Sequence, residues 1–253
     1  MAKFQCVNEL VRALQPIDPV YCFRKQSLKL ASNWFNRNFP GDVLYAVKCN
    51  PTETVVKTLI KNGINSFDTA SIDEIKLIKK ISPSSKIYFM HTIKKEESIY
   101  EAYFLYNVKA YAFDSKEELE KILKITKNAK DLELFLRVQT SNEHAEIDLS
   151  KKFGASINEA VSLSKIAKSK SKKFGLSFHV GSQCMHPIAY SKAIKDLGNI
   201  IKKSNIIPDI INVGGGFPTT YPDLYPQPIK NYFLEIARAI KKLNLSKQPK
   251  LIC

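Results

Sequence analysis

Short apolar runs and longer amphipathic stretches take turns along this chain. The runs at 43–47, 65–67, 86–90, 110–113, 133–138, 175–180 and 209–213 have the length and apolar content of strands. Between them the apolar residues fall at helical spacing. Ile72, Ile75, Ile78 and Ile81 line one side of a helix expected over 72–80, and Leu119, Ile122 and Leu123 do the same for 116–125. Further helices are expected over Lys25–Asn38, 54–61, 95–106, 157–168, 189–203 and 229–243, with a short strand at 20–23 and the start of an eighth regular strand at 250–253. Ser71 with Glu74, Ser115 with Glu118, and Ser156 with Glu159 read as capping boxes, in which serine and glutamate satisfy each other's orphan backbone donors. Strands alternating with helices imply a parallel sheet, and eight at a spacing of roughly 20–40 residues predict an α/β (β/α)8 barrel. A doubly wound open sheet is the alternative.

Composition narrows the class. The chain has 253 residues, 44% hydrophobic and 25% charged, as in a globular protein with a sizeable core. No run approaches about 18 apolar residues, and the start lacks a secretory apolar segment, so a cytoplasmic location is expected. Cys6, Cys22, Cys49, Cys184 and Cys253 are odd in number and lack C-x-x-C spacing, which reads as reduced thiols with no metal site. The net charge of +15 raises nucleic acid as a partner. Against it, the arginines are only Arg12, Arg24, Arg37, Arg137 and Arg238, and no aromatics interleave with the densest run, Lys168, Lys170, Lys172 and Lys173. The lysines read as a solvated surface.

Chemistry in such a barrel collects at the C-terminal ends of the strands. Those ends carry Lys48, Asp68 and His91 after the first three strands, Arg137 in the fifth, His179 at the end of the sixth and Gly214-Gly215-Gly216 after the seventh. Each has an ordinary reading: a lysine that has reached solvent, a hydrogen-bonded histidine, an ion-paired Asp or Arg, a tight turn before Phe217-Pro218. The functional readings are a desolvated lysine that forms Schiff bases and a glycine cradle whose N–H groups meet an anion. Lysine and phosphate cradle in one barrel point to pyridoxal phosphate.

The motifs YAVKCNP (45–51), FDTAS (67–71), LRV (136–138), FHVGSQC (178–184) and VGGGFP (213–218) occur in this order. Together they resemble the eukaryotic-type ornithine/lysine decarboxylases, pyridoxal-phosphate enzymes of the alanine-racemase-like barrel class. GGGFP with FHVGSQC is closer to these than to diaminopimelate decarboxylases. The resemblance runs from about Pro19 to Cys253. It implies that Lys48 carries the cofactor through a Schiff base and that His179 stacks on its ring. Ser182, Gly214, Gly215 and Gly216 would hold its phosphate, with Asp68 and Arg137 in the polar network around the link. It further implies a small amino acid substrate, ornithine to putrescine or lysine to cadaverine, in polyamine biosynthesis, and a homodimer with a C-terminal β-domain.

The family pattern continues with Glu-Pro-Gly-Arg and that β-domain, neither of which is in this sequence. The chain is therefore expected to be an N-terminal piece, of low activity alone or completed by a separately encoded C-terminal piece. Residues 1–24 would join the β-domain, and 25–253 would form a barrel left open, its eighth strand cut and its last helix missing. A non-catalytic cofactor-binding or regulatory homologue is the other reading.

Overall fold

Each apolar run from residue 43 onward contributes a strand to one parallel sheet in the computed structural model, which describes residues 3–140, 145–147 and 152–253. The first half of the chain runs α1 (Val7–Leu14), α2 (Lys25–Asn38), β1 (Tyr45–Ala46), α3 (Glu53–Lys61), β2 (Ser66–Thr69), α4 (Ile72–Ile81), β3 (Lys86–Phe89), α5 (Glu96–Tyr100, continued by a wider turn Glu101–Leu105), β4 (Ala110–Phe113) and α6 (Lys116–Ile125). The second half runs β5 (Glu133–Arg137), β6 (Ala145–Ile147), α7 (Ile157–Lys170), β7 (Lys173–Ser177), β8 (Ser182–Cys184), α8 (Ile188–Ser204), β9 (Ile210–Asn212), α9 (Ile229–Lys242) and β10 (Lys250–Ile252). The sheet order is β1-β2-β3-β4-β5-β7-β9-β10, while β6 and β8 form a separate antiparallel pair.

The sheet closes on itself, and here the expectation of an open barrel is corrected. Asp42 N donates to Leu251 O at 3.0 Å, Leu44 N to Cys253 O at 2.7 Å, and Cys253 N to Asp42 O at 3.1 Å. These bonds join β10 to the segment leading into β1, so neither strand is left as an unpaired edge. A helix also stands ahead of the first strand. This helix, α2, packs between α3 and α9, with Trp34, Phe35 and Phe39 each 5.3–5.7 Å from a ring of the cluster around Phe233. The repeat is helix-then-strand; counted from the first strand, it leaves one helix over at the front.

Period-two alternation sorts side chains between two cores. Leu44, Tyr88, Ala110, Ala112, Phe135, Ile210 and Ile252 fill the barrel interior, while residues such as Phe67, Ile87, Tyr111, Leu134, Leu136, Leu176 and Ile211 face the helices. Strand β5 reads this division along its length. Glu133 at its start binds Lys86 (2.8 Å) and Lys173 (3.3 Å), Phe135 plugs the middle, and Arg137 emerges at the C-terminal mouth.

Three smaller expectations change. The segment 20–23 has no ladder partner among the described residues. Only Ser156–Glu159 forms the full reciprocal capping box. Ser71 and Ser115 do accept from the backbone N–H of Glu74 and Glu118. However, the Glu74 carboxylate reaches Ala70 N (2.8 Å), and the Glu118 carboxylate is drawn into a buried ion pair with Lys94 at 2.8 Å. In α1, Val7, Val11 and Leu14 are exposed and no residue is buried. Among the described residues no helix is long and apolar enough to cross a membrane. The expected long connection 139–155 lies partly outside the described residues.

Candidate active site

Parallel pairing puts the functional ends of the strands at one mouth. Ala46 is opposite Asp68 across β1 and β2, Arg137 opposite Ser177 across β5 and β7, and Ser177 opposite Asn212 across β7 and β9. Beyond Ala46 the chain leaves the sheet in a 3-10 turn, Val47–Cys49, which tips Lys48 out of the strand. Lys48 is exposed, so the expected desolvated lysine is corrected: the turn carries its ammonium to solvent rather than into the core. Its amine makes no hydrogen bond or ion pair among the described residues. It is nonetheless near enough to Asp68 to act on it electrostatically. Asp68 faces the mouth from β2, and desolvation pushes its carboxyl up to about 7, with Lys48 pulling the other way and Glu74 adding to the rise.

Arg137 lies over the ring of Phe153, 4.8 Å from its centroid, and His91 packs edge-on against the same ring at 5.7 Å. Burial disfavours the guanidinium charge, while Asp114 and Asp68 favour it. The Nδ1 of His91 accepts from Ile93 N at 3.1 Å, a local turn that orients its ring. His179 follows β7 and is pinned from two sides: Gly181 N donates to its Nδ1 at 3.0 Å, and the Thr140 hydroxyl donates to its carbonyl at 3.1 Å. Burial, helped by Arg137 and Lys48, pushes His179 down to about 4, so the imidazole is neutral with its proton on Nε2.

The glycine turn faces His179. A Cβ on Gly215 would stand 3.5 Å from His179 Nε2. Gly214 and Gly216 have φ of 69° and 90°, the left-handed region, and a Cβ on either would strike the Phe178 or Gly181 carbonyl oxygen. The N–H groups of Gly215 and Gly216 have no partner among the described residues. Ser182 is exposed in β8 beside the turn, its hydroxyl also unpartnered among those residues. The structure thus brings Lys48, Asp68, Arg137, His179, Ser182, Gly214, Gly215 and Gly216 to one mouth. Unbonded N–H and hydroxyl donors around a tight glycine turn fit a phosphate, and a free amine at the same mouth fits an aldehyde.

Several residues that shape this mouth escaped the sequence reading. Asp114 accepts from Gly154 N at 2.9 Å and faces Arg137. Asn212 Oδ1 accepts from Gly214 N at 2.8 Å, and the Gln183 amide bonds the Thr219 backbone twice at 2.9 Å. Two carried a signal: Glu74, as a capping glutamate six residues after Asp68, and Gln183, inside the FHVGSQC motif. The others act through backbone geometry that no spacing rule encodes.

The family model described as "Pyridoxal-dependent decarboxylase, pyridoxal binding domain" matches residues 25–253. The lysine/ornithine decarboxylase of Selenomonas ruminantium is 29% identical over 214 residues, 83% of this chain and 51% of that protein. Antizyme inhibitor 2 of Xenopus laevis is 35% identical over 182 residues, 70% of this chain and 39% of that one. The arginine decarboxylase of Paramecium bursaria Chlorella virus superposes with a TM-score of 0.84 at 30% identity, covering 97% of this chain and 66% of that one. The chain spans about half, or less, of the length of these two curated relatives.

Proposed function

The chain belongs to the pyridoxal-dependent decarboxylase family, and from that premise we propose that it binds pyridoxal phosphate through Lys48 and serves the decarboxylation of a basic amino acid. Ornithine to putrescine, or lysine to cadaverine, is the reaction that the motif resemblance supports. The observation that carries the reading is that the Lys48 amine and the Gly215 and Gly216 N–H groups, all unpaired among the described residues, share one mouth, with β10 alone between their strands. When bound, the cofactor supplies an electron sink for the pair left by a departing carboxylate.

The chain's own residues do the rest. Lys48 offers the amine for covalent attachment. The Gly215 and Gly216 N–H groups and the Ser182 hydroxyl would hold the phosphate, with Gly214, its own N–H taken by Asn212 Oδ1, setting the turn they project from. Neutral His179 offers a flat ring surface, with Nδ1 held by Gly181. Asp68, shifted to about 7, exchanges its proton near neutral pH beside the Lys48 amine. Arg137, backed by Phe153, keeps positive charge next to Asp68.

The test is direct. Pyridoxal phosphate followed by borohydride should leave the reduced adduct on the peptide holding Lys48, read by mass spectrometry, and Lys48→Ala should abolish it. Adduct at other lysines, with none at Lys48, refutes the reading.

The rest of the proposal concerns the whole protein. Residues 1–24, whose described part has exposed Val7, Val11 and Leu14, would join a β-domain, in the same polypeptide or a separate piece, and the assembled enzyme would be a homodimer. The proposal also places the protein in the cytoplasm, where thiols stay reduced; among the described residues the cysteines form no disulfide. The likeness to an antizyme inhibitor favours one second reading, a regulatory homologue. That homologue would release no carbon dioxide from ornithine, lysine or arginine even when joined to a β-domain.

A further inference from the structure

The glycine turn is held from behind, and we infer that Tyr190, through its hydroxyl, is the positioning residue that aims the Gly216 N–H at the anion. This rests on the reading that the turn holds the cofactor phosphate. Tyr190, on α8, donates its hydroxyl to Gly215 O at 2.8 Å. A trans peptide is planar, with its C=O and the following N–H pointing in opposite directions, and no cis peptide occurs among the described residues. Fixing the Gly215 carbonyl toward the helix layer therefore turns the Gly216 N–H toward the barrel axis. Cys184 N repeats the device one peptide later, donating to Gly216 O at 2.9 Å.

The hydroxyl has something to prevent. The 215–216 peptide is flanked by glycine on both sides, the combination with the least steric resistance to a flip. A flip would point a carbonyl oxygen, rather than an N–H, at a phosphate. Tyr190 is well placed to stop it. Its ring is fully buried, stacked on Phe217 at 5.2 Å and 9° and edge-on to Tyr232 at 5.9 Å. Burial holds the proton on its oxygen, so it remains a donor.

The test compares pyridoxal phosphate with pyridoxal, which has the same aldehyde and no phosphate, on the full chain and on Tyr190→Phe. The readout is the ratio of the two affinities from borohydride-trapped adduct against concentration. In wild type the phosphate ester should bind more tightly. In Tyr190→Phe its affinity should fall about three- to tenfold, the worth of one buried hydrogen bond, with pyridoxal unchanged. An unchanged ratio overturns the inference, as does an equal loss for both aldehydes or a variant that does not fold, since each makes the hydroxyl merely structural. A wild-type chain with no preference for the phosphate ester fails differently: the phosphate reading itself falls, and the inference with it.

Discussion

Replacing Gly175 with alanine isolates the packing of the barrel interior. Gly175 in β7 lies opposite Phe135 in β5, and a Cβ added to it would stand 2.6 Å from Phe135 Cε1. The ring cannot easily retreat, because it is fully buried and set edge-on against Tyr88 at 5.7 Å. Overpacking of this kind costs about 1–3 kcal/mol, offset by about 0.4–1 kcal/mol because alanine restricts the unfolded chain. A net loss of about 1–2 kcal/mol is expected. Phe135→Leu alone should cost a similar amount, about 1–2 kcal/mol, through lost burial and a residual cavity. In the double variant the alanine methyl enters space the ring has vacated, so its total should be no greater than that of Phe135→Leu alone. The resulting coupling is about 1–2 kcal/mol, read from urea midpoints at constant slope. If the two single losses simply add, within about 0.5 kcal/mol, the interlock between β5 and β7 does not exist.

The site and its supports give two more expectations. Asp68 is raised to about 7, whereas an unfolded aspartate ionises near 4, so between those values the folded chain holds a proton that the unfolded chain has released. Stability should fall as pH rises through that window, by about 4 kcal/mol in all. His179, lowered to about 4, acts with the opposite sign, adding stability as pH rises from about 4 to 6.5. Melting Asp68→Asn from pH 4 to 8 should therefore reveal the rising limb alone; a profile like that of wild type contradicts the assigned burial. The Lys94 side chain is fully buried, and its amine donates to Ala112 O at 2.6 Å and His91 O at 2.8 Å besides pairing with Glu118. Lys94→Met should cost about 2–4 kcal/mol, toward the low side of a broken buried pair, because Glu118 keeps Lys121 at 2.6 Å. Adding Glu118→Leu should recover part of the loss, and a single-variant cost below about 1 kcal/mol in urea denaturation would contradict a bracing role.

Much of the fold was legible because its signals are local. Helices Lys25–Asn38 and Lys116–Ile125 and strand Ala110–Phe113 appear with the bounds their apolar periodicity predicts. The β6–β8 pair escaped because three-residue strands carry too little pattern to separate from loop, and one of them lies in the connection 139–155. The site residues were legible as strand-end chemistry, but their states were not. Nothing in the spacing shows that Lys48 leaves the strand in a 3-10 turn. Nor does it show that Glu118, a capping residue by position, is captured by a lysine two elements earlier. Tertiary electrostatics overrode the local rule there, since an unpaired buried ammonium costs far more than half a capping box.

Ring closure is what makes a site of residues so distant in the chain. Lys48 follows the first barrel strand and the glycine turn the seventh, yet around the ring β1 and β9 are separated by β10 alone. The neighbourhood of amine and anion cradle therefore depends on the seam between 42–44 and 251–253, whose three backbone hydrogen bonds measure 2.7–3.1 Å. Gly41 lets the strands approach there, as a Cβ at that position would stand 2.8 Å from the Leu251 carbonyl carbon. Val213 N, next to the turn, bonds Ile252 O at 2.9 Å, which ties the cradle to the same strand that closes the ring. A cofactor attached at Lys48 and held at Gly214–216 would bridge this seam. Binding to the folded chain alone adds to its stability by mass action, and the linkage here would act across the one junction that chain connectivity does not secure.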